Sequence, residues 1–120
     1  MAQSFRQLIA WQKAMELVIE VYRVTRGFPR AELYGLTNQL RRAVVSVPSN
    51  IAEGQARYSH REFYRFLTVA RGSLAEIETQ VTIAKSVGYL TSATAEILLS
   101  RVAELGRILN GLIASTKAAA

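Results

Sequence analysis

Four stretches of the chain repeat apolar residues at alternating spacings of three and four, with short turn signals between them and no period-two run long enough for a strand. Each stretch is therefore an amphipathic helix that has to bury its stripe against the others, and short connections make consecutive helices antiparallel neighbours. The expected fold is all-α, an antiparallel up-down-up-down four-helix bundle, with helices crossing at about 20° as this spacing favours. The 120 residues make one domain, 1–120, large enough to bury a core without disulfides or metals. Residues 1–4 and 117–120 are expected to fray.

In the first stretch Leu8, Trp11, Met15, Val18, Tyr22 and Thr25 form one row, and Ala10, Ala14, Leu17, Val21 and Val24 form a second beside it. Together they cover roughly 200° of the helix, about twice the arc that packing on one side requires. Burial on two sides is the expectation, and a closed homo-oligomeric ring is the usual way to cover such a surface. Gly27 is expected as a left-handed cap, with Phe28-Pro29 opening the next helix.

The second helix carries Leu33, Leu36, Leu40, Ala43, Val47 and Ile51 to Gly54, and Pro48 inside it should kink or break it by taking a donor from the Val44 carbonyl. Ser59 and Glu62 make a capping box for the third, with Tyr58 and Phe63 placed as a hydrophobic staple. Its core row is Phe63, Phe66, Leu67, Ala70, Leu74, Ile77, Val81 and Ala84, and Gly88 ends it. Thr91 or Ser92 caps the fourth, which turns Leu98, Val102, Leu105, Leu109 and Leu112 inward.

Several function classes drop out. The chain has no cysteine, no aspartate and a single histidine, His60, at a helix end where solvation is its ordinary state. A di-iron site needs paired Glu-x-x-His motifs and a Ser-His-Asp arrangement needs its acid, so no catalytic residue, metal site or cofactor is expected. Gly35, Gly54, Gly72 and Gly88 are isolated, each a cap or a close-packing point rather than a phosphate cradle. No run reaches the roughly 18 apolar residues of a membrane span, and the first residues have no leader pattern, which suits the cytoplasm.

Charge points the other way, toward a partner. Fifteen Lys and Arg against nine acidic residues give +6, and twelve of the fifteen are arginine, whose planar fork pairs two-pronged with phosphate. On the third helix Arg57, Arg61, Tyr64, Thr68 and Arg71 follow at steps of four, three, four and three, projecting away from Phe63, Ala70 and Ile77, with Arg65 at their edge. Such a row, holding no compensating glutamate, suits phosphate contact with base stacking on the tyrosine. A second constellation, Gln39, Arg42, Ser46, Asn50 and Glu53, draws a polar stripe along the second helix. It serves either to satisfy groups freed by Pro48 and to pair charges, within the bundle or across subunits, or as a seam for a partner.

Phe5-x-x-Leu8-x-x-Trp11-Gln12-Lys13-Ala14, Phe28-Pro29 with Glu32, Tyr34-Gly35-Leu36, Gln39 and Arg42-Ala43, Ser46-x-Pro48-x-Asn50-Ile51-Ala52-Glu53-Gly54, Phe66-Leu67-x-x-Ala70-x-Gly72-Ser73 with Glu76, and Gly88-Tyr89-Leu90 together resemble the four-helix bundles of the 23S rRNA intervening-sequence family. The resemblance covers roughly residues 5–113. It implies a bundle without catalytic residues, some members being encoded within insertions in bacterial 23S ribosomal RNA genes. Similar bundles act as accessory proteins of diversity-generating retroelements, where a basic pentameric barrel binds a reverse transcriptase and nucleic acid. This chain carries the Ser46–Gly54 string in full and so stands nearer the intervening-sequence branch than the reverse-transcriptase partners. The resulting expectation is a basic homo-oligomer, pentameric by resemblance, that binds nucleic acid, RNA above all, as an accessory or scaffolding protein. The rival is a protein–protein interaction module whose arginines only pair with glutamates.

Overall fold

The chain runs through four helices in a computed structural model that describes residues 4–119: α1 (Ile9–Thr25), α2 (Leu36–Ala56), α3 (His60–Ser86) and α4 (Ser92–Ala119). Three-residue 3-10 turns at Phe5–Gln7 and Arg30–Glu32 precede α1 and α2. Each helix packs on its chain neighbours and α1 closes the ring on α4, while the diagonals α1–α3 and α2–α4 bring no Cα atoms within 8 Å. Contacts run in opposite directions along the pairs. Ser46 meets Ser73 and Gly54 meets Phe66 across α2–α3, and Leu74 faces Gly106 where Arg71 faces Asn110 across α3–α4. The bundle is antiparallel, 44 × 23 × 20 Å, its long dimension set by 27 residues of α3 at about 1.5 Å each.

The expected core rows of α3 and α4 fill the interior, Phe63 to Ala84 buried and Leu98, Val102, Leu105 and Leu109 facing them, with Leu112 half-buried. The α1 arc is partly accounted for within the chain. Ala10, Ala14, Leu17, Val21 and Thr25 are buried, and Leu8, Trp11, Val18 and Val24 are half-buried against the core. Phe5, delivered by the first 3-10 turn, meets Trp11 edge to face at 5.4 Å. What α1 leaves outside is Ile9, Ile19 and Tyr22.

Several termini differ from expectation. Gly88 is the only glycine with positive φ among the described residues, so Gly27 is no left-handed cap, and α1 ends through amides of Gly27 and Phe28 that return to Val24 and Thr25. Pro29 opens only the 3-10 turn, because α2 takes its cap from a carboxylate further on. Glu32 Oε1 accepts from Leu36 N at 3.0 Å while Oε2 accepts from Tyr89 Oη at 2.8 Å. Helix α2 therefore starts at Leu36, and Leu33, expected on the core face, lies before it, 46% exposed.

Pro48 does not break α2: it is buried within a helix that continues past Gly54 to Ala56. The Asn50 amide nitrogen donates to the Ser46 carbonyl at 2.8 Å and to Ser46 Oγ at 3.0 Å, so it braces that turn rather than the Val44 carbonyl. Gly54 is a contact glycine, since a Cβ there would stand 2.6 Å from Phe66 Cβ. Tyr58 takes the left-handed position after α2 with φ 54° and is 76% exposed, so it makes no staple with buried Phe63. Ser59 Oγ accepts from Glu62 N as expected, but the Glu62 carboxylate turns to Arg65 instead of returning to the cap.

At the other end of α3, Tyr89 N reaches Ala84 O at 2.8 Å and Gly88 N reaches Lys85 O at 3.1 Å, a Schellman pair that only a left-handed residue allows. Thr91 caps α4 through Thr94 N. Ser4 accepts from Arg6 N in the first turn and α4 stays helical to Ala119, whereas the remaining ends expected to fray, 1–3 and 120, lie outside the described residues.

Candidate functional site

Helix α3 carries the arginine row on its N-terminal half. Arg61, Tyr64, Arg65 and Thr68 surround one surface depression together with Glu62. Arg61 is exposed and makes no hydrogen bond or ion pair among the described residues. Tyr64 does not stand clear of the core as its projection suggests: its ring is half-buried against the interior, with the Lys117 ammonium 5.9 Å above its centroid. The ring's outward side and the lysine thus form a cationic, partly apolar surface.

Arg65 and Arg57 flank the same aromatic ring, their guanidinium carbons 4.6 and 5.1 Å from the centroid of Phe66. Both have acidic partners, which corrects the reading of a row without compensation. Arg57 Nη2 lies 2.8 Å from Glu53 Oε2, and Arg65 Nη2 lies 3.0 Å from Glu62 Oε1. The Arg65 hydrogen bond holds the Glu62 carboxyl below the usual carboxylate range, and Glu62 raises Arg65 in turn. These are exposed pairs one helical turn apart, weak enough to open toward a phosphate. Arg57 caps α2 rather than continuing the α3 projection. Arg71 is set apart, its Nη1 donating to Asn110 Oδ1 of α4 at 3.3 Å.

Two features were not legible beforehand, an exposed Tyr58 next to Arg57 in sequence and Lys117 on this surface. Tyr58 was placed in a staple, and only the left-handed turn before Ser59 swings its ring out beside Arg57 in sequence. Lys117 lay in an expected frayed end; α4 has to stay helical to its last turn to set the ammonium over Tyr64.

The polar stripe divides. Gln39, Arg42 and Ser46 line one depression of about 290 Å³ with Ser73, Glu76 and Gln80 of α3. Asn50 stays in the helix turn below Ser46, and Glu53 faces Arg57. Gln80 was missed, although its signal is present: it stands in phase with Ile77 and Ala84, a polar side chain at a core position. Among the described residues no group of three or more His, Cys, Asp or Glu could hold a metal ion, and no helix is long and apolar enough to cross a membrane.

The chain matches the family model of the 23S rRNA-intervening sequence protein over residues 6–111. It belongs to that family. The match runs from the 3-10 turn before α1 well into α4, so it takes in both the arginine row and the polar stripe of this intervening-sequence protein. Among solved structures, the fold is shared with a protein of unknown function from the S23 ribosomal protein family of Bacteroides thetaiotaomicron. The two superpose with a TM-score of 0.81 at 19% identity, over 88% of this chain and 95% of the other. No curated protein matches in sequence.

Proposed function

We propose that this intervening-sequence protein is a non-catalytic, homo-oligomeric accessory protein that binds RNA through the α2–α3 corner and the end of α4. The observation that carries the reading is the convergence of Arg61, Arg65, Tyr64 and Lys117, with Arg57 sharing the Phe66 ring with Arg65, in a chain of net charge +6. Guanidinium and ammonium groups take phosphates, while exposed Tyr58 offers a plane on which an unpaired base stacks, the usual route to single-stranded RNA. Repetition around a ring multiplies a modest affinity at one site.

The test is a salt titration of binding to one single-stranded RNA. Arg61→Gln with Lys117→Gln should weaken binding across sequences and flatten the log–log salt slope by about 0.7 for each lost phosphate contact. Equal affinities and equal slopes would reject this surface. A second reading, a protein–protein module without RNA affinity, has its own support in the Arg57–Glu53 and Arg65–Glu62 pairs, and it takes the lead in that outcome.

A further inference from the structure

The end of the bundle away from the RNA surface holds a second set of arginines. Arg26, Arg30 and Arg41 line a depression of about 250 Å³ between the α1–α2 connection and the first turns of α2. From Arg41 to Ala56, about 22 Å of α2 separates it from the α2–α3 corner. Two of its groups are fixed by the fold. Arg41 is half-buried, its Nε donating to Thr25 Oγ1 at 2.9 Å and its guanidinium carbon 4.7 Å from the Tyr22 centroid. Those contacts hold the plane of the guanidinium, and its two Nη groups have no hydrogen bond or ion pair among the described residues. Thr37, one helical turn before Arg41, is 3% exposed, and its hydroxyl has no hydrogen-bond partner among the described residues either. The oxygen is not fully enclosed and Thr37 lines the same depression, so the open space reaches it. A buried hydroxyl ordinarily has a partner; Thr25, on the opposite wall, finds one by donating to the Val21 carbonyl at 2.7 Å.

No acidic residue lines the depression. The acids nearest in sequence are held elsewhere, Glu20 by Arg23 and Glu32 by the Leu36 amide and the Tyr89 hydroxyl. Arg26 ends α1 and complements the negative end of its dipole, which accounts for that residue but not for the free fork of Arg41 or the Thr37 hydroxyl. A fixed fork takes two oxygens side by side, and a hydroxyl beside it takes a third. A carboxylate or a phosphodiester offers only two free oxygens and a single charge. A phosphate monoester offers three free oxygens and about two negative charges at neutral pH, which suits three guanidiniums. Phe28, Pro29 and Leu33 complete the walls, and their apolar surface strengthens the polar contacts made between them.

We propose that this α1–α2 depression binds a phosphate monoester, two of its oxygens on the Arg41 fork and the third accepting from Thr37, with Arg26 and Arg30 at the rim. The group arrives on a free nucleotide or as the terminal phosphate of an RNA. The site is separate from the RNA surface and does not depend on it.

The experiment titrates the full-length protein with inorganic phosphate, uridine 5′-monophosphate and dimethyl phosphate, followed by calorimetry and by the rise of the thermal transition that a ligand of the native state produces. Inorganic phosphate and the monophosphate should bind in the millimolar range or tighter, and dimethyl phosphate, a diester, about tenfold more weakly or worse. Thr37→Val matches the shape and removes an unpartnered hydroxyl, so the transition of the unliganded protein should hold or rise while affinity for the monophosphate falls about tenfold. Arg41→Met should lose about tenfold or more, whereas Arg61→Gln with Lys117→Gln leaves monophosphate binding unchanged. A second arm compares one oligoribonucleotide carrying a 5′-phosphate with the same sequence carrying a 5′-hydroxyl. With the RNA end as the source, the phosphorylated form binds about tenfold more tightly and Arg41→Met removes the difference; with a free nucleotide as the source, the two RNAs bind alike and monophosphate binding stands. The proposal is overturned if neither inorganic phosphate nor the monophosphate binds, if dimethyl phosphate binds as well as they do, or if Thr37→Val and Arg41→Met both keep wild-type affinity.

Discussion

Glycines separate two kinds of constraint at the residue scale. Gly54 is buried, with the ring and Cβ of Phe66 and the ring of Phe63 occupying the space its own side chain would need. Gly54→Ala forces α2 from α3 and should destabilise by about 1–3 kcal/mol. Gly72, in the middle of α3, has nothing within 4 Å of a built Cβ and is exposed, so neither cap nor contact explains it. Gly72→Ala should stabilise by roughly 0.5–1 kcal/mol through helix propensity alone. Urea unfolding of the two variants checks both signs together. Glu32 links its ionisation to the start of α2. Its carboxyl is held below the ordinary range first by the Leu36 amide and then by the Tyr89 hydroxyl, and the same contact pushes Tyr89 up. A lowered folded-state pKa means stability present above the ordinary glutamate range and lost as pH falls through it toward the lowered value. Between about pH 6 and about pH 3 the wild type should lose more stability than Glu32→Gln, whereas Tyr89→Phe keeps the Leu36 arm and most of the acid limb. Equal losses in wild type and Glu32→Gln would show that the carboxylate is not the cap of α2.

The ends of α2 show at the element scale how little a helix boundary depends on its own residues. Leu33 has the right phase for the core row, but the start is fixed by a carboxylate tied to the α3–α4 connection, which no spacing within α2 encodes. At the other end Tyr58 sits in a conformation that glycine adopts freely and that costs other residues about 1–2 kcal/mol. Tyr58→Gly relieves that strain but adds freedom to the unfolded chain, leaving a net gain of up to about 1 kcal/mol. If Tyr58 stacks on RNA, the same substitution weakens single-strand binding by roughly 1–3 kcal/mol. Stability and affinity should move in opposite directions, and a thermal melt beside an RNA titration reads both. Pro48 stays inside α2 because it is buried in the bundle, where packing outweighs one missing donor.

For the whole molecule the open question is what covers the outside of α1 and the start of α2. Tyr22, Leu33, Tyr34 and Val45 edge one groove, with Tyr34 91% exposed and the Arg41 guanidinium 4.7 Å from the Tyr22 centroid. Apolar groups gathered in this way on the outside of a bundle suit a contact between copies around a closed ring. Tyr34→Glu with Val45→Glu should lower the mass measured by light scattering without unfolding the chain, since neither side chain reaches the core; a wild type that is already monomeric at micromolar concentration would end the ring hypothesis.

The sequence by itself determined the class, the number of helices, their antiparallel order and nearly all of the core, because the three-four repeat is a local property and short links leave few topologies. It also marked the basic character and most of the arginine row. Only the tertiary structure decided where α2 begins, that Tyr58 turns outward, that Lys117 lies over Tyr64 and that Arg42, Glu76 and Gln80 share one pocket. Each of these joins residues from different helices, and the register between two packed helices is set by how their side chains interlock, as Gly54 does against Phe66, rather than by the spacing within either one.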